Sequence, residues 1–184
     1  SSAWKRRKRQ SHPEVGELSW IRFSDLELTD RGLRVCWRRS KSDQEGDGET
    51  RLLLPQGEAL LCPVDAWKEW RDYCATAPRT DAAPEHTPES FACCGLRGPQ
   101  VNGKRMTEQL IYQLIVKLGS DAGVPITPHS LRAAFASHAR EKHDEATVAY
   151  HGRWKSRTTL ARYVRRATEH KNNASAGLST ETKD

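Results

Sequence analysis

The chain has no Cys-x-x-Cys pair, no internal repeat, and no apolar run approaching the ~18 residues that a membrane span needs. Each absence removes a class. Its five cysteines, Cys36, Cys62, Cys74, Cys93 and Cys94, are odd in number and scattered, which argues against a disulfide scaffold. His86 and His129 lie far from any ligand spacing, so no structural zinc site or other metal is expected. Reduced, mostly buried thiols in an intracellular protein are the expectation. No signal peptide opens the chain, and the reading is of a soluble, intracellular protein without a membrane partner.

What is present is charge, mostly of one sign. The 184 residues fit one domain long enough to bury a core, with 36% hydrophobic and 29% charged residues. Net charge is +6 and the pI about 9.2. The excess sits at the two ends: residues 5–9 read KRRKR, and residues 125–184 hold 11 Lys or Arg against 6 Asp or Glu. Such a balance favours a polyanionic partner, and nucleic acid foremost, through counterion release. A merely solubilising surface is the alternative that composition leaves open.

Periodicity and punctuation place the elements. Pro13 and Glu14 suit the first positions of a helix. Residues 25–28 and 33–39 are β-rich runs around the turn signal Thr-Asp-Arg-Gly, and residues 50–54 offer a third strand after a Gly/Asp-rich loop. A helix follows from Pro63, with Val64, Trp67, Trp70 and Cys74 on its core face. Residues 76–90 carry three of the nine prolines and read as a solvated loop, and residues 91–98 hold a short buried strand. From Thr107 a capped helix runs to a glycine stop, with Leu110, Ile111, Leu114, Ile115 and Leu118 as its apolar residues. Three short helices are expected over 127–166, and a tail low in hydrophobes from Lys171.

The stretch 127–166 concentrates chemistry. Thr127-Pro128 suits a cap and first helical position, and the i, i+3 spacing puts His129 and Arg132 on one face near a helix N-terminus, where anions are favoured. Gly152-Arg153-Trp154 follows, and Tyr163 lies nine residues beyond Trp154. A guanidinium, an imidazole, an indole N–H and a phenol are what a phosphate-attacking tyrosine needs for charge compensation, proton transfer and nucleophilic attack. For Trp154 a purely packing role is the rival, and a tyrosine in an amphipathic helix is ordinarily core or interface.

The order His-x-x-Arg, Gly-Arg-Trp and Tyr resembles the tyrosine recombinase (phage integrase) family, as do a Gly-Glu-Leu motif at 16–18 and a Ser-Lys-Ser segment carrying Lys41 in the second turn of a β-hairpin. The resemblance covers about residues 14–168. It implies a mixed α+β fold, mainly helical with a small three-stranded antiparallel sheet. It implies a catalytic domain over residues 13–170 lacking the family's first helices, while composition assigns residues 1–12 to a basic arm and 171–184 to a disordered tail.

By resemblance Tyr163 is the nucleophile, forming a 3'-phosphotyrosyl link to DNA; Arg132 clamps the non-bridging oxygens, His129 assists proton transfer, Trp154 donates to the phosphate, and Lys41 protonates the leaving 5'-oxygen. The covalent link conserves the phosphodiester energy, so neither metal nor cofactor is implied. Arg38, Arg39, Arg153, Lys155 and Arg157 are the expected DNA contacts, double-stranded DNA the partner, and a homo-tetramer on DNA the working assembly. One position departs from the pattern: the family's first arginine stands three residues before the Glu of Gly-Glu-Leu, and here that place is Glu14. Loss of such a donor costs about 2.7 to 4 kcal/mol of transition-state stabilisation. A catalytically impaired, DNA-binding relative is therefore the alternative reading.

Overall fold

The computed structural model describes residues 13–38, 48–57 and 62–168. The expected basic arm, the loop with Arg39 and Lys41, and the tail lie outside them. The chain divides into two compact units, residues 1–118 and 119–184.

In the first unit, α1 (Pro13–Gly16) leads through short 3-10 turns at Leu18–Trp20 and Phe23–Asp25 into an antiparallel sheet of β1 (Leu26–Thr29), β2 (Gly32–Trp37) and β3 (Glu49–Leu53), in that spatial order. Along β2 the side chains alternate, with Leu33 and Val35 buried and Arg34 exposed, so one sheet face meets the core. Pairing sets Val35 opposite Leu26 on one side and opposite Arg51 on the other. Gly32 has φ 147°, and a Cβ there would stand 2.2 Å from the Leu53 carbonyl oxygen; only glycine permits this approach of β3.

Helix α2 (Pro63–Thr76) lays Val64, Trp67 and Cys74 into that core with Ile21, Phe23, Ala92 and Val101. Trp70 is half-buried, and its indole N–H donates to the Ala92 carbonyl at 2.8 Å. Beyond the proline-rich stretch, β4 (Cys94–Arg97) pairs with β5 (Gln100–Arg105) in a separate two-stranded sheet. Sequence reading expected one strand here and missed β5, whose polar QVNGKR carries a glycine at φ 65° in its interior.

The next helix, α3 (Glu108–Asp121), forms where expected, but its apolar residues do not share one fate. Ile111 is buried, whereas Leu110, Leu114 and Leu118 are about half exposed, at 50%, 46% and 56%. The stripe is wider than the contact that one residue makes.

The second unit contains α4 (Pro128–Lys142), α5 (Glu145–Gly152) and α6 (Arg157–Thr168), the three helices expected over this span. They close around Ala136, Val148, Trp154 and Leu160, all buried, with Tyr163 and Val164 packed against that cluster. Among the described residues, no helix is long and apolar enough to cross a membrane.

Candidate active site

Helix α4 begins as its sequence dictates. The Thr127 hydroxyl accepts the Ser130 N–H at 3.1 Å while the Ser130 hydroxyl accepts the Thr127 N–H at 2.7 Å, a reciprocal cap behind Pro128 at the first helical position. His129 is thereby exposed in the first turn, and half-buried Arg132 follows one turn later. Helix α5 is capped by Asp144, which accepts the Thr147 N–H at 2.9 Å and hydroxyl at 2.7 Å. These bonds, the hydroxyl's first, hold the Asp144 carboxyl below the usual aspartate range.

The end of α5 turns the chain back. Arg153 takes the left-handed conformation at φ 56°, ψ 42°; its N–H bonds the Tyr150 carbonyl at 3.2 Å, and the Trp154 N–H bonds that of Ala149 at 2.9 Å. This reversal delivers the Trp154 ring into the three-helix core, 8% exposed. Helix α6 then brings Tyr163 alongside.

These four side chains meet. The Tyr163 hydroxyl lies 3.5 Å from His129 Nδ1, the outer limit of a hydrogen bond, and their rings are 5.1 Å apart. The Trp154 and Tyr163 ring centroids are 5.5 Å apart. The Arg132 guanidinium carbon sits 4.2 Å from the Trp154 ring centre, and Arg132 Nη2 donates to the Gly152 carbonyl at 2.7 Å. Among the described residues, the buried Trp154 indole N–H has no hydrogen-bond partner. A cation, an imidazole and a phenol so disposed can hold a phosphate ester against a tyrosine oxygen.

Other expected site residues are placed less uniformly. Arg153 terminates α5, and Lys155 is exposed beside it. Arg157 opens α6, its side chain outside the described atoms. Arg38, in the first unit, is engaged internally: it bonds buried Asp25 through Nε and the Ser24 hydroxyl through Nη2 at 2.8 Å, and lies 3.9 Å from Glu89. Those anionic neighbours, Asp25 first, raise its pKa further above neutrality. Glu14 falls within α1.

Two neighbours of the site were given no role from the sequence, Gly152 being quoted there only within Gly-Arg-Trp. Phe135, one turn beyond Arg132, sets its ring nearly parallel to Trp154, 9° between planes and 6.0 Å between centroids. Its i, i+3 relation to Arg132 was the signal that could have found it. Gly152 is the second. Among the described residues, no group of three or more His, Cys, Asp or Glu could hold a metal ion.

Fold and site together define a helical domain with a small antiparallel sheet, in which a histidine and arginine from α4, a tryptophan from the α5–α6 connection and a tyrosine from α6 are gathered together. The chain belongs to the phage integrase family, whose model matches residues 15–170. These are tyrosine recombinases, which act on DNA. It is 30% identical over 159 residues to an integrase/recombinase XerD homolog of Selenomonas ruminantium, covering 86% of this chain and 45% of that protein. The crystal structure of XerA recombinase shares the fold, with a TM-score of 0.58 and 23% identity over 82% of this chain and 47% of that one. The chain thus spans about half the length of these relatives.

Proposed function

We propose that this domain binds duplex DNA and cleaves and rejoins one strand through a covalent link to Tyr163, in site-specific recombination or DNA integration. The observation that carries the reading is the Tyr163 hydroxyl at 3.5 Å from His129 Nδ1, with Arg132 laid on the Trp154 ring that also touches Tyr163. In the forward step the Tyr163 oxygen forms a bond to phosphorus, the bond from phosphorus to the 5'-oxygen breaks, and a 3'-phosphotyrosyl end and a 5'-hydroxyl result. The phenol gives up its proton towards the site, and the leaving oxygen gains one; by family resemblance Lys41 delivers it. Arg132 offsets the negative charge gathering on the non-bridging oxygens. Attack by a 5'-hydroxyl on the phosphotyrosine reverses the sequence and reseals the strand, with no net redox change and no cofactor.

Arg153, Lys155 and Arg157 at the α5–α6 junction, with Arg38 and Arg39 by the hairpin, are the proposed backbone contacts. The assembly proposed is a homo-tetramer on DNA, acting inside the cell. Glu14 favours a second reading, in which the fold and DNA binding persist while cleavage is impaired by a carboxylate where a phosphate clamp belongs.

Covalent trapping on a pool of nicked duplexes separates the two. An adduct that disappears in Tyr163→Phe establishes the strand transferase. No adduct from the parent but one from Glu14→Arg establishes the impaired relative. Salt-dependent binding with no adduct from any variant removes the nucleophile from the reading.

A further inference from the structure

We infer that Gly152 and Phe135 are positioning residues for Arg132: with the Trp154 ring they form the seat that fixes its guanidinium. The inference rests on reading Arg132 as the phosphate clamp.

The argument starts from a glycine in an unexpected place. Where a helix ends in a left-handed residue, glycine is the usual occupant of that position. Here the left-handed residue is Arg153, and Gly152 precedes it without a left-handed φ of its own. Backbone freedom therefore does not account for Gly152. Space does: a Cβ at 152 would stand 1.7 Å from Trp154 Cζ3, 2.2 Å from Cε3 and 2.7 Å from Cη2, so any side chain there must displace the ring. That ring lies under Arg132, and the Gly152 carbonyl accepts Arg132 Nη2 at 2.7 Å.

One residue thus sets the guanidinium twice, through the carbonyl that holds its edge and through the vacancy that lets the indole support its face. Phe135, parallel to the same indole, limits the ring's tilt. A guanidinium has five N–H donors, so a single carbonyl tie fixes its plane and leaves donors for phosphate oxygens. Misplacement by about 1 Å costs on the order of 10²-fold in rate.

The test compares strand cleavage on two matched suicide duplexes, one with an ordinary scissile phosphodiester and one with a neutral methylphosphonate there. A neutral centre gathers less charge, so loss of a charge-compensating clamp matters less on it. Arg132→Ala is expected to lose about 10²- to 10³-fold on the diester and distinctly less on the methylphosphonate. Gly152→Ala should reproduce that selective pattern at about 10²-fold, and Phe135→Leu more weakly. Equal losses on both substrates, or none, in the Gly152 and Phe135 variants would overturn the inference, because a general folding defect does not sense the charge on phosphorus.

If Gly152→Ala fails to fold, Phe135→Leu decides, since that side chain is 44% exposed and replaceable. An Arg132→Ala variant that cleaves the diester normally removes the clamp reading, and the seat with it. Should the parent form no adduct, the salt dependence of DNA binding replaces cleavage: Arg132→Ala lowers the slope by about one. Gly152→Ala and Phe135→Leu must then lower it too, and unchanged slopes sink the seat.

Discussion

Replacing Trp154 with phenylalanine should leave stability nearly unchanged, although the residue is 92% buried. Among the described residues, the indole N–H has no hydrogen-bond partner in its buried position. An orphaned buried donor costs about 1–3 kcal/mol, a penalty that Trp154→Phe removes. Against this stands the smaller ring: about 40 Å² less apolar area at ~25 cal/mol per Å², plus a void of about 40 Å³ at ~24 cal/mol per Å³, together about 2 kcal/mol. The two effects offset to within about 1 kcal/mol. Trp154→Ala keeps none of the packing among Ala136, Val148 and Leu160 and should cost about 3–5 kcal/mol.

The chain holds its own controls. Trp67 is buried with its N–H equally unpartnered among the described residues, so Trp67→Phe should be mild, whereas Trp70→Phe strands the Ala92 carbonyl that now accepts at 2.8 Å and should cost more. Urea unfolding followed by circular dichroism reads all four variants. A Trp154→Phe loss above about 2 kcal/mol, or equal to that of Trp154→Ala, would refute the assignment of an unpaired donor.

Asp25→Ala should destabilise the chain by about 2 kcal/mol, because the buried carboxylate accepts both the Arg22 N–H at 2.9 Å and the Arg38 guanidinium. Arg38 is half exposed and stays hydrated, which keeps the loss below that of a fully buried pair; a urea midpoint equal to the parent's would contradict the tie. Asp144, its pKa depressed by Thr147, stabilises the α5 cap fully above the unfolded aspartate value of about 3.9 and loses that contribution as pH falls through its lower folded value. The stability difference between parent and Asp144→Ala should therefore stay constant from pH 5 to 8 and shrink below about pH 4; a constant difference at low pH would mean the cap is not ionic. Burial pushes the Cys74 thiol up to about 12, with Cys94 adding to the shift, and the side chain is 1% exposed. At pH 8 its thiolate fraction is on the order of 10⁻⁴, so iodoacetamide followed by peptide mapping should find Cys74 unmodified until the chain unfolds; early alkylation would show the first unit's core to be open.

Legibility in the sequence followed the strength of local signals. Thr127-Pro128 fixes a helix start by side-chain chemistry alone, and that cap is made, whereas the Asp144 cap of α5 went unread. The alternation along residues 33–37 places β2 and its buried face. The spacing His129, Arg132, Trp154 and Tyr163 foretold a cluster that three helices do bring together.

What escaped depends on partners distant in sequence. Nothing near Arg38 announces that Asp25 and Glu89 will engage it, since Glu89 arrives on a loop more than fifty residues away. The exposure of Leu110, Leu114 and Leu118 was not legible either, because periodicity reports an apolar stripe, not what covers it. Strand β5 was hidden by its own polarity, as half of a two-stranded ribbon buries little beyond Val101 and Gly103.

An unpaired buried donor is often taken as the mark of a functional site. This chain argues against using it alone, because among the described residues Trp67 carries the same orphan inside the first unit's core, beside Phe23 at 5.2 Å between centroids and within a cluster of hydrophobic residues. The environment separates the two indoles. Trp154 is touched by a guanidinium, by a phenol and by a second ring, and it lies over a glycine that backbone geometry does not demand. Around Trp67 substitution should register as stability alone. Around Trp154 loss of the ring should register in the placement of Arg132 as well, so Trp154→Ala should lower stability and charge-dependent cleavage together, whereas Trp67→Ala should lower stability alone.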